Sequence, residues 1–275
     1  MVPARLKVAL YRQLAQASAR FGHQLYTDVF RLPFNLLLKS SIDSAPNEGC
    51  GLQIAGSIPG VHVPFLIDYV TANLGSYTLM TWIDGDCCAD IWDQLTPADK
   101  ARIVMELRTQ FGLLHKQTAA RNRTICASSG APVSDPRVPW VAESPRLFFQ
   151  PSDFLKEVWL GLDFPRQRDT VKPVVQPLVD RNDVPIVFCH GDLLPKNIIL
   201  PGGLASWRSG TTPVYLIDWE YSGWMPLPWD ALKATWLICD WDEEWYAMMR
   251  EVFPESSAEL EADWLWRSQS GIPIV

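Results

Sequence analysis

Two short apolar runs, Ile186-Val187-Phe188 and Ile198-Ile199-Leu200, bracket the segment His190-Gly191-Asp192-Leu193-Leu194-Pro195-Lys196-Asn197. A third run, Tyr215-Leu216-Ile217, leads directly into Asp218-Trp219-Glu220. Apolar runs of this length read as buried strands rather than helices. The fold must then present an Asp and an Asn on a short loop between two strands, and a second Asp at a strand end.

That set of side chains suits one chemistry. Phosphoryl transfer from ATP needs an Asp facing the acceptor hydroxyl, an Asn holding metal, and a second Asp bridging metal to the phosphates. Asp192 is the candidate base, provided it reaches the acceptor hydroxyl. The plain alternative is an Asp that caps a turn through its own backbone. Asn197 and Asp218 are the candidate Mg²⁺ ligands, because Mg²⁺ prefers a few protein oxygens completed by phosphates and water. Their alternative reading is a pair of ordinary turn residues.

Composition narrows the class. The chain has 275 residues, 48% of them hydrophobic, so a sizeable core is expected. Its net charge of -7 argues against a nucleic-acid partner and suits a cationic small substrate. The six cysteines form no CxxC pair, and the four histidines have no metal-ligand spacing. Reduced thiols in the cytoplasm are the simplest reading. No apolar run reaches the length of a membrane span, so no membrane partner is expected. Residues 1–27 lack acids and carry Arg5, Lys7, Arg12 and Arg20. That stretch reads either as a mitochondrial presequence or as a surface helix.

Periodicity predicts an amphipathic helix over 4–18 and a strand over 29–39 interrupted by Pro33. A helix from Pro46 to about Ser57 follows, then strands over 62–70 and 77–83 with a turn at Asn73-Leu74-Gly75-Ser76. Thr96, Pro97 and Asp99 form a helix start, followed by a core stripe of Ile103, Leu107, Phe111 and Leu114. Residues 118–151 read as a long loop with a small hairpin at Ser129-Gly130, and helices cover 152–162 and 170–181. The tail concentrates Trp219, Trp224, Trp229, Trp236, Trp241 and Trp245 among Asp240, Asp242, Glu243 and Glu244. An amine-binding aromatic pocket and a core helix with a solvated acidic face are both open, the second preferred.

Residues 190–197 and 216–224 together resemble the aminoglycoside phosphotransferase and choline kinase group, with weaker similarity from Arg31 to Asp240. The blocks look closest to fungal proteins carrying that domain. The resemblance implies an α+β, bilobal, protein-kinase-like fold. Residues 1–83 would form a small, abbreviated, strand-rich lobe that clamps nucleotide, and 84–275 a larger helical lobe with the catalytic loop. ATP and Mg²⁺ are the implied cofactors, and a small-molecule hydroxyl is the implied acceptor. By the same resemblance Lys39 contacts the α- and β-phosphates, Glu48 orients Lys39, and His190 structures the loop. Thr81, Trp82 and Ile83 form the adenine hinge.

Two rivals stay open. No GxGxxG loop precedes Lys39, which keeps a non-catalytic kinase-like binding protein in view. A protein kinase fits less well, since Asp218 is followed by Trp219-Glu220 and Trp224 comes six residues after it. Neither the acceptor nor the oligomeric state is encoded in a readable motif.

Overall fold

The structure is a computed structural model that describes residues 3–41, 47–72, 75–120, 122–161, 168–236 and 242–270. In chain order these form α1 (Ala4–Arg20), β1 (Gln24–Tyr26), β2 (Val29–Leu32), β3 (Leu36–Ser41), α2 (Asn47–Ala55), β4 (Leu66–Ala72), β5 (Gly75–Thr81), β6 (Gly85–Cys87), α3 (Pro97–Thr118) and β7 (Cys126–Ala127). They continue as α4 (Pro139–Glu143), α5 (Pro151–Leu160), α6 (Arg168–Val179), β8 (Ile186–Cys189), β9 (Ile198–Pro201), α7 (Leu204–Ser209), β10 (Tyr215–Leu216), β11 (Gly223–Pro226), α8 (Trp229–Ala234), α9 (Asp242–Val252) and α10 (Ser257–Ser270). Two compact units result. One is Met1–Ile91 with Pro195–Glu220, the other Trp92–Leu194 with Tyr221–Val275.

The first unit holds a five-stranded antiparallel sheet in the order β1-β2-β3-β5-β4. The stretch before Lys39 is used economically, since β1 has three residues and β2 four. Helix α1 lays Tyr11, Ala15 and Ser18 on this sheet. It is pinned there by Asp68 of β4, which accepts from Lys7 Nζ at 2.6 Å and Tyr11 Oη at 2.5 Å. A second sheet, β10-β9-β6, completes the unit.

The predicted strand over 29–39 is instead a hairpin. Pro33-Phe34-Asn35 turns the chain, with Phe34 at φ 64° and Asn35 at φ 57°. Asn tolerates the left-handed region but Phe does not, so an apolar run conceals the turn. The strand expected from residue 62 starts only at Leu66. Pro64 has no amide to donate, and the His62 carbonyl accepts from Leu216 N–H at 2.9 Å. Gly75 and Ser76, expected in a turn, already belong to β5. Pro46, Asn73, Leu74, Asp240 and Trp241 lie outside the described residues, as does the last residue of the predicted helix 152–162.

The second unit is mainly helical. Thr96 and Asp99 form a reciprocal capping box at the start of α3. Ile103, Leu107, Phe111 and Leu114 are all buried in the core. The expected loop over 118–151 contains α4 and β7. The turn at Ser128-Ser129-Gly130 closes through Gly130 N–H to the Ala127 carbonyl. Ala127 N–H bonds the Ala131 carbonyl at 2.9 Å, so the chain reverses at the expected place, while β7 also pairs with β11 in the sheet β7-β11-β8. The tryptophans resolve mostly into core. Trp229 and Trp245 are buried in this unit and Trp219 in the other, whereas Glu243 and Glu244 are exposed.

No helix among the described residues is long and apolar enough to cross a membrane. Nor do Cys50, Cys87, Cys88, Cys126 and Cys189 form a disulfide.

A buried ionic network ties the end of the second unit together. Asp263 accepts from Arg137, from Trp159 Nε1 at 2.8 Å and from Arg267 Nε at 2.9 Å. Burial pushes the Arg137 guanidinium down from its ordinary pKa, against the pull of Asp263. Removing one member of such a group leaves uncompensated buried charge. Asp263→Ala should therefore lower stability by about 3–5 kcal/mol in urea unfolding. A loss below about 1 kcal/mol, the range of exposed pairs, would show that the network is not a strong structural restraint.

Candidate active site

Lys39 lies on β3, a strand paired on both sides, opposite Val29 of β2 and Thr78 of β5. This position fixes the backbone from which its side chain extends. Glu48 sits in the first turn of α2 and is buried. Helix α2 can approach β4 closely because residue 49 is glycine. A Cβ there would overlap the Tyr69 ring. The Lys39 ammonium meets Glu48 at 3.1 Å. It also meets the Asp218 carboxylate, and Glu220 at 3.4 Å.

Asp218 and Asn197 are brought together by register. Strands β9 and β10 pair antiparallel with Ile198 opposite Leu216. One step outward, Ile217 N–H donates to the Asn197 carbonyl at 3.0 Å. Asn197 therefore lies across from the residue preceding Asp218. The single 3-10 turn Pro195–Asn197 that carries it is held by Ala89 N–H to the Pro195 carbonyl and Cys88 N–H to the Ile198 carbonyl. Asp218 itself adopts φ 66°, a conformation Asp tolerates better than most residues. Asn47 at the start of α2 donates its side-chain amide to the Glu220 carbonyl. That bond ties the helix bearing Glu48 to the segment bearing Asp218.

The charges in this cluster do not balance. One ammonium serves three carboxylates. Burial alone would push Lys39 down, but Glu48, Asp218 and Glu220 together raise it well above its ordinary value. Glu48 is raised to about 7, first by burial and then by the nearby Asp218 and Glu220, with Lys39 opposing. The hard oxygen donors of Asn197 and Asp218, set in an excess of negative charge, fit a divalent cation such as Mg²⁺.

The other half of the predicted set lies in the second unit. Strand β8 is buried along its whole length and delivers His190, Gly191 and Asp192. His190 is fully buried, and its Nδ1 accepts from the Asp192 amide at 3.1 Å. The ring proton therefore sits on Nε2, and the ring fixes the backbone of Asp192. Gly191 has φ +79°, and a Cβ there would overlap the Tyr221 carbonyl. Its amide donates to Asp230 Oδ1 at 2.9 Å. The other oxygen, Asp230 Oδ2, is 2.9 Å from His115 Nε2 of α3.

Sequence reasoning gave no role to Asp230, His115, Asn47 or Glu220. A legible signal existed for Asp230, an acid in the first turn after Pro228-Trp229. Its partner could not be guessed across 39 residues of chain. Cys189 joins His115 and Asp230 in one buried cluster. Both carboxylate oxygens of Asp230 are already engaged, so this trio is a structural clasp rather than a metal centre. Burial, and then the Asp230 charge, push the Cys189 thiol well up. At the expected hinge, the amides of Thr81 and Trp82 are already used. They donate to the Phe65 carbonyl at 3.0 Å and the Asn35 carbonyl at 2.7 Å.

The family model for choline/ethanolamine kinase matches residues 145–240, a span that includes His190, Asp192, Asn197 and Asp218. A solved protein from Haemophilus somnus, assigned as a fructosamine-3-kinase, matches with a TM-score of 0.59 at 13% identity, over 94% of this chain and 90% of that one. The fold is kinase-like. An aminoglycoside phosphotransferase, a thermostable mutant solved in ternary complex with AMP-PNP and hygromycin B, matches this kinase-like chain with a TM-score of 0.50 at 12% identity, over 88% and 81% of the two chains. Curated protein sequences give no match. The α+β fold and the resemblance to small-molecule kinases thus agree with the expectation from residues 190–197 and 216–224.

The raised pKa of Glu48 has a defined sign. Its folded value of about 7 lies above the ordinary 4.5, so folding favours the protonated acid. The resulting stability is full below about pH 4.5 and is lost as pH rises through about 7. With divalent cations chelated, wild-type thermal stability should fall across this window more than that of Glu48→Gln. Parallel pH profiles for the two proteins would contradict the assignment.

Proposed function

We propose that this chain is an ATP- and Mg²⁺-dependent phosphotransferase that moves the γ-phosphoryl group to a hydroxyl of a small molecule. The observation that carries the reading is the meeting of Lys39 with Glu48 and Asp218 in one unit. A Lys on the third strand of the sheet, paired to a helix Glu and near a metal-binding Asp, is the arrangement that kinases use on nucleotide phosphates. The nucleotide analogue bound by the aminoglycoside phosphotransferase supports ATP as the donor.

The roles follow from chemistry. Lys39 places a compact positive charge for the α- and β-phosphates, and Glu48 holds its direction. Asn197 and Asp218 would hold Mg²⁺, which supplies charge neutralisation at the phosphates. Asp192 accepts the proton of the acceptor hydroxyl as its oxygen bonds to the γ-phosphorus. The bond from that phosphorus to the β,γ-bridging oxygen breaks, and ADP leaves. His190 keeps the Asp192 backbone in place. Residues 81–83 contribute the adenine slot, with Thr81 and Trp82 offering walls rather than amide donors. Nucleotide clamping by residues 1–83 and catalysis by 84–275 is a division of roles. The compact units follow packing instead. Positioning and electrostatics supply most of the rate.

A second reading, a non-catalytic nucleotide-binding or scaffold protein, is favoured by one feature. The β1–β2 hairpin turns at Thr27-Asp28, without glycine, and the Asp28 carbonyl bonds Ser40 N–H beside Lys39. That turn is short for a phosphate cradle.

Asp192→Asn should abolish phosphoryl transfer to a panel of hydroxyl acceptors while leaving the ATP-dependent rise in Tm nearly unchanged. Transfer at the wild-type rate in the variant would remove Asp192 as the base. Stabilisation of the wild type by ATP and Mg²⁺, without turnover on any acceptor or hydrolysis, would favour the second reading.

A further inference from the structure

Helix α1 has three faces, and only one is accounted for by the fold. At roughly 100° per residue, Tyr11, Ala15 and Ser18 share the face that packs on the sheet. A second face carries Leu6, Leu10 and Ala17 and continues into Phe21 at the C-cap. Leu6, Leu10 and Phe21 are 61%, 52% and 74% exposed. The third face carries Arg5, Arg12 and Arg20, all exposed and none in an ion pair among the described residues. Strand β1, next in the chain, adds exposed Leu25 and Tyr26.

The charge of this region is opposite to that of the whole chain. Between Pro3 and Arg31 the sole acid is Asp28, against Arg5, Lys7, Arg12, Arg20 and Arg31, while the net charge of the protein is -7. Asp68, the acid beneath α1, is already neutralised by Lys7. An exposed apolar stripe flanked by unpaired arginines is the pattern of a helix that lies in a membrane interface. A second copy of the chain would set arginines against arginines across a two-fold contact. An acidic peptide would leave Leu6, Leu10 and Phe21 in water, since the surface is a convex helix and not a groove.

The geometry points to peripheral docking of this protein on anionic lipid bilayers through the outward faces of α1. Leu6, Leu10 and Phe21 enter the acyl boundary, and Arg5, Arg12 and Arg20 meet the lipid phosphates. The inner face stays on the sheet, so docking needs no unfolding of the helix.

The test is cosedimentation of the full chain with sucrose-loaded vesicles. Phosphatidylcholine vesicles containing phosphatidylserine should bind it, pure phosphatidylcholine should not, and binding should fall as salt shortens the screening length. Replacing Arg5, Arg12 and Arg20 together by Glu should weaken partitioning by about a hundredfold or more. Leu6→Ser with Leu10→Ser should also abolish it, with far-UV circular dichroism and Tm unchanged because both positions are exposed. No binding to either vesicle, equal binding to both, or retained binding by the arginine variant would overturn the proposal. So would a wild-type dimer in ultracentrifugation that Leu6→Ser with Leu10→Ser converts to monomer.

Discussion

One ammonium facing three carboxylates governs the first unit. The bare Coulomb attraction of Lys39 to Glu48 or Asp218 is a few kcal/mol at an effective dielectric of about 20, before desolvation is subtracted. The contact with the more exposed Glu220 is weakened by solvent. The acids repel one another at the same time. The arrangement holds only because three separate devices fix its members. A doubly paired strand carries Lys39, a helix brought close by Gly49 carries Glu48, and a hairpin carries Asp218. The Asn47 bond to the Glu220 carbonyl ties the second device to the third. An excess of negative charge built this firmly suits the divalent cation proposed above, and the desolvated Glu48 is its cost.

The candidate catalytic loop of the second unit is fixed by different physics. There the restraints are hydrogen bonds to one fully buried carboxylate and one fully buried imidazole. Asp230 engages the Gly191 amide with one oxygen and His115 with the other, and His190 engages the Asp192 amide. A loop whose backbone is held from two sides cannot wander, so the Asp192 side chain starts from a defined anchor. Such second-layer restraint is what makes a catalytic constellation more than a set of side chains.

Much of this was legible in the sequence, and the boundary of legibility has physical causes. The start and core stripe of α3 were readable because capping and periodicity are local. The strand assignments at Ile186 and Ile198 were readable because short apolar runs have few other homes. The turn at Phe34-Asn35 was hidden, since a Phe at positive φ contradicts local preference and is set by the surrounding sheet. Glu220, Asn47, His115 and Asp230 were missed for another reason. Each gains its meaning from a partner far away in the chain, and a lone acid or amide has no signature of its own. The tryptophans were read mainly as core, and Trp219, Trp224, Trp229 and Trp245 are indeed buried, but packing spreads them over two units rather than along one helix.

The β9–β10 hairpin sets Asn197 and Asp218 side by side through cross-strand pairing and not through the length of chain between them. Residues 202–214, including α7, form an excursion that leaves and returns to fixed points. Insertions or deletions there would leave the pair undisturbed, whereas losing one residue from β9 or β10 would turn alternate side chains to the opposite face. The spacing of the two residues in the sequence is therefore a poor identifier of this site. Homologues are better sought by two short apolar strands whose outer ends carry an amide and an acid, whatever lies between.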